Sequence, residues 1–194
     1  MSSQSTIHPF LDWAKERLDE IDATLASFEV EKLQADARTK AEKARADMRA
    51  ARDQFQKSIK EQGQASEAAV ASSKKALETQ WTAFEAAVPA FLEATGQHVK
   101  EVEAAFRARA EAQRKAWQEA IDKLHKSSKS FADNRRDEIE AALKHMKVDA
   151  DAAKTKLDKA GGESWAAMKS ALTETRSALD KAQQAVHESL KRAS

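Results

Sequence analysis

The residues of this 194-residue chain that could do acid–base or metal chemistry are scattered. His8, His98, His125, His145 and His187 fall on different segments. None follows a Glu by three positions or another His by four, the spacings with which helices build di-iron and zinc sites. Cysteine is absent, which excludes disulfides, thiolate metal sites and cysteine nucleophiles. Carboxylates are plentiful, as in Glu101 with Glu103 and Glu138 with Glu140. Residues two apart on a helix point about 200° from each other, so neither pair shares a site. No two of the four glycines have the spacing of a phosphate-binding loop, and tyrosine is missing. No catalytic, cofactor-binding or metal-ligating residue is expected, and the chain reads as a non-enzyme.

Four tryptophans, Trp13, Trp81, Trp117 and Trp165, invite two readings. Each fits the apolar phase of its segment, which predicts packing near helix ends and turns; the other reading is insertion into a lipid or polymer surface. Charge offers a third possibility. Residues 12–31 are mainly acidic, whereas 32–60 and 107–129 are mainly basic, although the net charge is only +1. A basic stripe would bind phosphates, but oppositely charged segments lying side by side in antiparallel packing explain the same pattern without a nucleic acid.

All six helix-stopping residues sit at Pro9, Gly63, Pro89, Gly96, Gly161 and Gly162, leaving 10–62 and 97–160 uninterrupted. That punctuation predicts an all-α protein, an elongated antiparallel coiled coil or thin four-helix bundle in long-short-long-short order. One hairpin over 1–95 would hold a long helix over about 9–62 and a shorter one over about 66–95. A second over 96–194 would hold helices over about 97–160 and 164–192. With charged residues at 34% and both signs interspersed, local helix propensity and pattern agree.

Within the first long segment Leu11, Ala14, Leu18, Ile21, Leu25 and Phe28 step by three and four. The phase then slips and resumes at Val30, Leu33, Ala37, Ala41, Ala44, Met48, Ala51, Phe55 and Ile59. A seam this rich in Ala lets backbones approach closely but buries little, so each rod needs a partner along its length. Gly63 marks the first turn, with Ser66 as the next helix cap, and Pro89 with Gly96 marks a bend or change of helix between Val88 and His98. In the second long segment the seam carries Gln113, Ser128 and Arg135, polar entries that set register or leave a face partly open. Gly161-Gly162 ends it, and Trp165, Met168, Leu172, Thr175, Leu179, Val186 and Leu190 form the last stripe. Trp81 to Val88 aligns with Trp165 to Leu172, the pattern of a duplicated helical hairpin.

The segments Trp117-Gln118-Glu119-Ala120-Ile121-Asp122-Lys123-Leu124, Lys154-Thr155-Lys156-Leu157 and Gly162-Glu163-Ser164-Trp165-Ala166-Ala167-Met168-Lys169 resemble those of small bacterial coiled-coil stress-response proteins. The likeness covers 112–185 well and 10–95 weakly. It implies a helical accessory protein and carries over no catalytic residue.

Nowhere do about 18 consecutive apolar residues occur, and Met1–Phe10 has no signal-peptide character, so a cytoplasmic protein without a transmembrane segment is expected. The expected role is a non-catalytic scaffold or interaction protein, stress-related, that acts by coiled-coil association with a protein partner or with itself as a homo-oligomer. The alternatives are an amphipathic binder of lipid or granule surfaces, in the manner of apolipoproteins or phasins, and a nucleic-acid-associated protein.

Overall fold

The computed structural model describes residues 9–31, 33–62, 67–96, 99–129 and 133–193. Among them are six α-helices: α1 (Pro9–Ser27), α2 (Ala35–Gln62), α3 (Glu67–Ala94), α4 (Val99–Ser128), α5 (Asp133–Ala160) and α6 (Trp165–Ala193). The described residues contain no strand, so the class is all-α. The long-short-long-short order does not hold, because each expected long helix is divided in two.

The first division explains the phase slip. Phe28 and Val30 are both 3% exposed, and residues two apart cannot share one face of a helix. The chain leaves the helix at Ser27, and both side chains turn inward. Hydroxyls ease the exit: Thr24 Oγ1 donates to Glu20 O at 2.6 Å and Ser27 Oγ to Thr24 O at 2.7 Å. Phe28 then stacks on Phe91 with ring centroids 3.7 Å apart.

The second division follows Ser127 and Ser128, where Ser128 Oγ donates to His125 O at 2.8 Å. Neither break involves glycine or proline. A serine hydroxyl donates to a backbone carbonyl at both helix ends, a bond that accompanies the stop without requiring it.

Where glycine does act, the geometry is the expected one. Gly96 (φ 75°) and Gly162 (φ 89°) occupy the left-handed region just beyond α3 and α5. Ser164 caps α6 through Ala167 N–H to Ser164 Oγ at 3.3 Å. α3 runs through Pro89, which has no N–H to add to the helical ladder, and stops at Ala94, so the helix changes within the expected interval. The turn assigned to Gly63 and Ser66 lies outside the described residues, as do the side chains of Val70 and Arg135.

The chain divides into two compact units, and the division falls inside α4, between Ala112 and Gln113. The first unit contains α1, α2, α3 and the start of α4. α2 packs on α3, and the core includes Trp13, Ile21, Met48, Phe55, Phe84 and Phe91. Antiparallel charge pairing joins α1 to α2. Arg52 grips Asp22 with Nε at 2.8 Å and Nη2 at 3.3 Å, and Arg45 meets Glu31 at 3.7 Å, so numbers rise on one segment as they fall on the other.

The second unit holds the rest of α4 with α5 and α6, which pack on each other around Trp117, Leu124, Ile139, Met146, Leu179 and Val186. Val99, at the start of α4, is 70% exposed. Position 142 is only half-buried, and the neighbouring Leu143 takes the core place.

Candidate functional site

The polar groups withdrawn furthest from water lie in the first unit, on three helices. α1 turns Trp13, Ala14, Arg17, Glu20, Ile21 and Thr24 inward, leaving Leu11, Leu18 and Leu25 half-buried at the flank. α3 supplies Trp81, Phe84 and Glu85, and α4 supplies Arg109, which is 1% exposed. Arg109 Nε donates to Glu20 Oε1 at 2.7 Å, and its Nη2 donates to Glu85. The guanidinium carbon stands 5.8 Å from the ring centres of both Trp81 and Phe84. A second buried cation completes the cluster. Arg17 lies 4.1 Å over the Trp13 ring and 5.8 Å from Trp81, and its Nη1 donates to Trp13 O at 3.3 Å.

The chemistry of this node is that of a fastener. A guanidinium keeps its charge, so Arg109 is no proton shuttle, and each of the two carboxylates it holds accepts one of its N–H groups. Only its Nη1, buried, has no hydrogen-bond partner among the described residues.

The second unit has a neutral counterpart. Gln113 Nε2 donates to Leu172 O at 2.9 Å, and its Oε1 meets the hydroxyl of Thr175, which also lies 2.8 Å from Ala171 O. With one hydroxyl proton, Thr175 serves one of these acceptors at a time. Gln113 is thus the polar seam residue that reaches across to another helix. Ser128, also buried, bonds within its own helix end.

The tryptophans divide similarly. Trp13, Trp81 and Trp117 are buried, and Arg17 joins the first two, whereas Trp165 is half-buried at the start of α6. His125 and His145 are exposed and His187 is half-buried; His8 and His98 lie outside the described residues. Among the described residues no three His, Asp or Glu side chains approach closely enough to hold a metal ion.

Glu20, Glu85 and Arg109 were not singled out by the sequence pattern. A signal was present: Trp13, Arg17, Glu20 and Thr24 follow the same four-three-four spacing as the adjacent aliphatic seam.

Several arginines of the basic stretches are engaged with acids. Arg45 and Arg52 meet Glu31 and Asp22, Arg107 meets Glu103 at 3.2 Å, and Arg114 meets Asp158 at 2.5 Å. The Arg52 guanidinium is held further above its ordinary range by its hydrogen bond to Asp22, against the opposing effect of burial. Glu31 titrates below the ordinary carboxylate value, first because of a hydrogen bond from its own backbone and then because of Arg45 and Arg38. Among the described residues no helix is long and apolar enough to cross a membrane. No protein family, curated protein or solved structure matches this chain.

Proposed function

We propose that this protein is a non-catalytic helical interaction protein, acting by helix-to-helix association with a second copy or with another protein. The observation that carries this reading is the use made of its buried polar side chains. Arg109 with Glu20 and Glu85, and Gln113 with Thr175 and Leu172 O, close ties between helices. Ties of this kind select one register among many that Ala-rich surfaces would tolerate. A stress-related role, which the resemblance implies, and a cytoplasmic setting belong to the same proposal. Sedimentation equilibrium across about 1–100 μM tests it, the range in which modest interfaces associate. A mass above the 21.4 kDa monomer is expected. A monomer throughout, with no protein retained from a cell extract, overturns it.

A second reading, adsorption of opened helices to lipid or granule surfaces, draws on the same node. A buried ion cluster costs desolvation that opening refunds, so the α1–α4 unit has a lower barrier to unfurling than an all-apolar core would impose. Trp13 and Trp81 beside the node provide the readout: a fluorescence change and co-sedimentation with anionic vesicles support it, and neither occurring ends it. Nucleic-acid association is disfavoured by the engagement of Arg45, Arg52 and Arg114 with carboxylates.

A further inference from the structure

We infer that the outward face of α5 is the self-association surface, pairing antiparallel with the α5 of a second copy about a two-fold axis at Val148. This inference rests on the association reading above and names its contact.

α5 buries Ile139, Leu143, Met146, Ala153 and Leu157 in its own unit. On the opposite side Ala141, His145, Val148, Ala152 and Thr155 repeat every four and three residues, and all are exposed. Val148 is one of two large hydrophobic residues left exposed among the described residues, at 59%. This second heptad stripe, with a β-branched residue at its middle, is left uncovered by the described residues.

Charge identifies the occupant. With Val148 as origin and about 100° per residue, Lys144 and Asp151 lie on the same edge of the stripe, within about 60° of its centre line. Asp137 and Lys159 lie within about 20° of that line at its two ends. All four are exposed. An antiparallel two-fold carries each position to its mirror image about Val148. Lys144 then meets the second copy's Asp151, Asp137 meets the second copy's Lys159, and both contacts occur twice. Asp158, the acid nearest the incoming Asp137, is already neutralised by Arg114 at 2.5 Å. Parallel pairing in register would instead set Asp137 against Asp137 and Lys159 against Lys159. Such like-charge contacts select against the wrong orientation. The stripe is narrow and mostly small, so the association is modest and salt-sensitive.

The native chain lacks cysteine, which makes the test direct. Sedimentation equilibrium of the full chain is compared with Asp151→Lys, which sets two lysines together, and with the exchange Lys144→Glu plus Asp151→Lys, which restores opposite charges. In parallel, Val148→Cys and Thr173→Cys, both at exposed positions, are oxidised and examined for covalent dimer. The expected result is self-association weakened about tenfold by Asp151→Lys, recovery in the double exchange, and a disulfide dimer from Val148→Cys alone. A wild-type oligomer unaffected by Asp151→Lys, with no preferential cross-link at 148, overturns the α5 contact while leaving association itself intact. A strictly monomeric wild type overturns the α5 contact and the self-association half of the reading above, leaving association with another protein to the extract test.

Discussion

Arg109 on α4 donates its Nε–H to Glu20 on α1 at 2.7 Å across 89 positions of chain, with the two side chains 1% and 2% exposed. Two ions removed this thoroughly from water lose several kcal/mol each of hydration, offset in part by their mutual attraction, by Glu85 and by the Trp81 and Phe84 rings. The pair is therefore asymmetric in its response to mutation.

Removing one partner strands the others. Arg109→Ala is expected to destabilise the first unit by about 3–5 kcal/mol, whereas the combined change Arg109→Met, Glu20→Leu and Glu85→Leu is expected to be neutral or stabilising. Urea unfolding monitored by tryptophan fluorescence checks both. A loss below about 1 kcal/mol for Arg109→Ala, the range of an exposed pair, would contradict the buried placement.

Gln113 ties α4 to the carbonyl of Leu172 on α6. Gln113→Ala should cost about 1–3 kcal/mol by leaving buried polar groups without partners. The effect is read in the thermal midpoint. The conservative change Gln113→Glu should also destabilise, because a carboxylate facing the Leu172 carbonyl has no donor to offer it.

Acid should loosen the α1–α2 junction. Glu31 titrates below its ordinary value of 4.5 in the folded protein, so the stabilisation it provides is complete above that value and is lost as pH falls through the lower, folded value. Glu31→Gln is expected to remove this part of the acid sensitivity together with the equal stabilisation the charge gives at pH 7, both small because the side chain is exposed. An unaltered acid limb in the stability-versus-pH curve counts against the assignment.

The α5–α6 turn offers a test of backbone conformation free of packing. Gly162 adopts φ +89°, and a Cβ placed there would meet no atom within 4 Å. Gly162→Ala should therefore cost only the left-handed conformation, about 1–2 kcal/mol, and Gly162→Asn less. Ser164→Ala at the following cap should cost about 1 kcal/mol. Thermal midpoints of the three variants order these effects.

Much of the layout is legible in the linear pattern because its causes are local. Gly96 and Gly162 end helices through their own torsions, and Ala, Lys, Glu and Arg favour helix wherever they stand. Heptad spacing identified Ala41, Ala44, Met48 and Phe55 on α2 and Met168, Leu172, Leu179, Val186 and Leu190 on α6 as inward-facing, and all are buried. The slip between Phe28 and Val30 was visible as well, but its consequence was not. Without Gly or Pro, nothing local requires a helix to stop; the break appears because two side chains 200° apart both gain by burial.

Tertiary structure alone decided which charges would be hidden. Arg17, Glu20 and Arg109 are indistinguishable in composition from the exposed Arg38, Glu42 and Arg107. Hydrophobic periodicity reports which stripe of a helix turns inward, yet the width of that stripe depends on how many neighbours cover it. α1 meets residues of α2, α3 and α4, so its buried arc extends past the aliphatic seam to the charged residues beside it. The partner of a buried ion 89 positions away is fixed by packing and by the desolvation energy that forbids leaving it alone, quantities no local pattern contains.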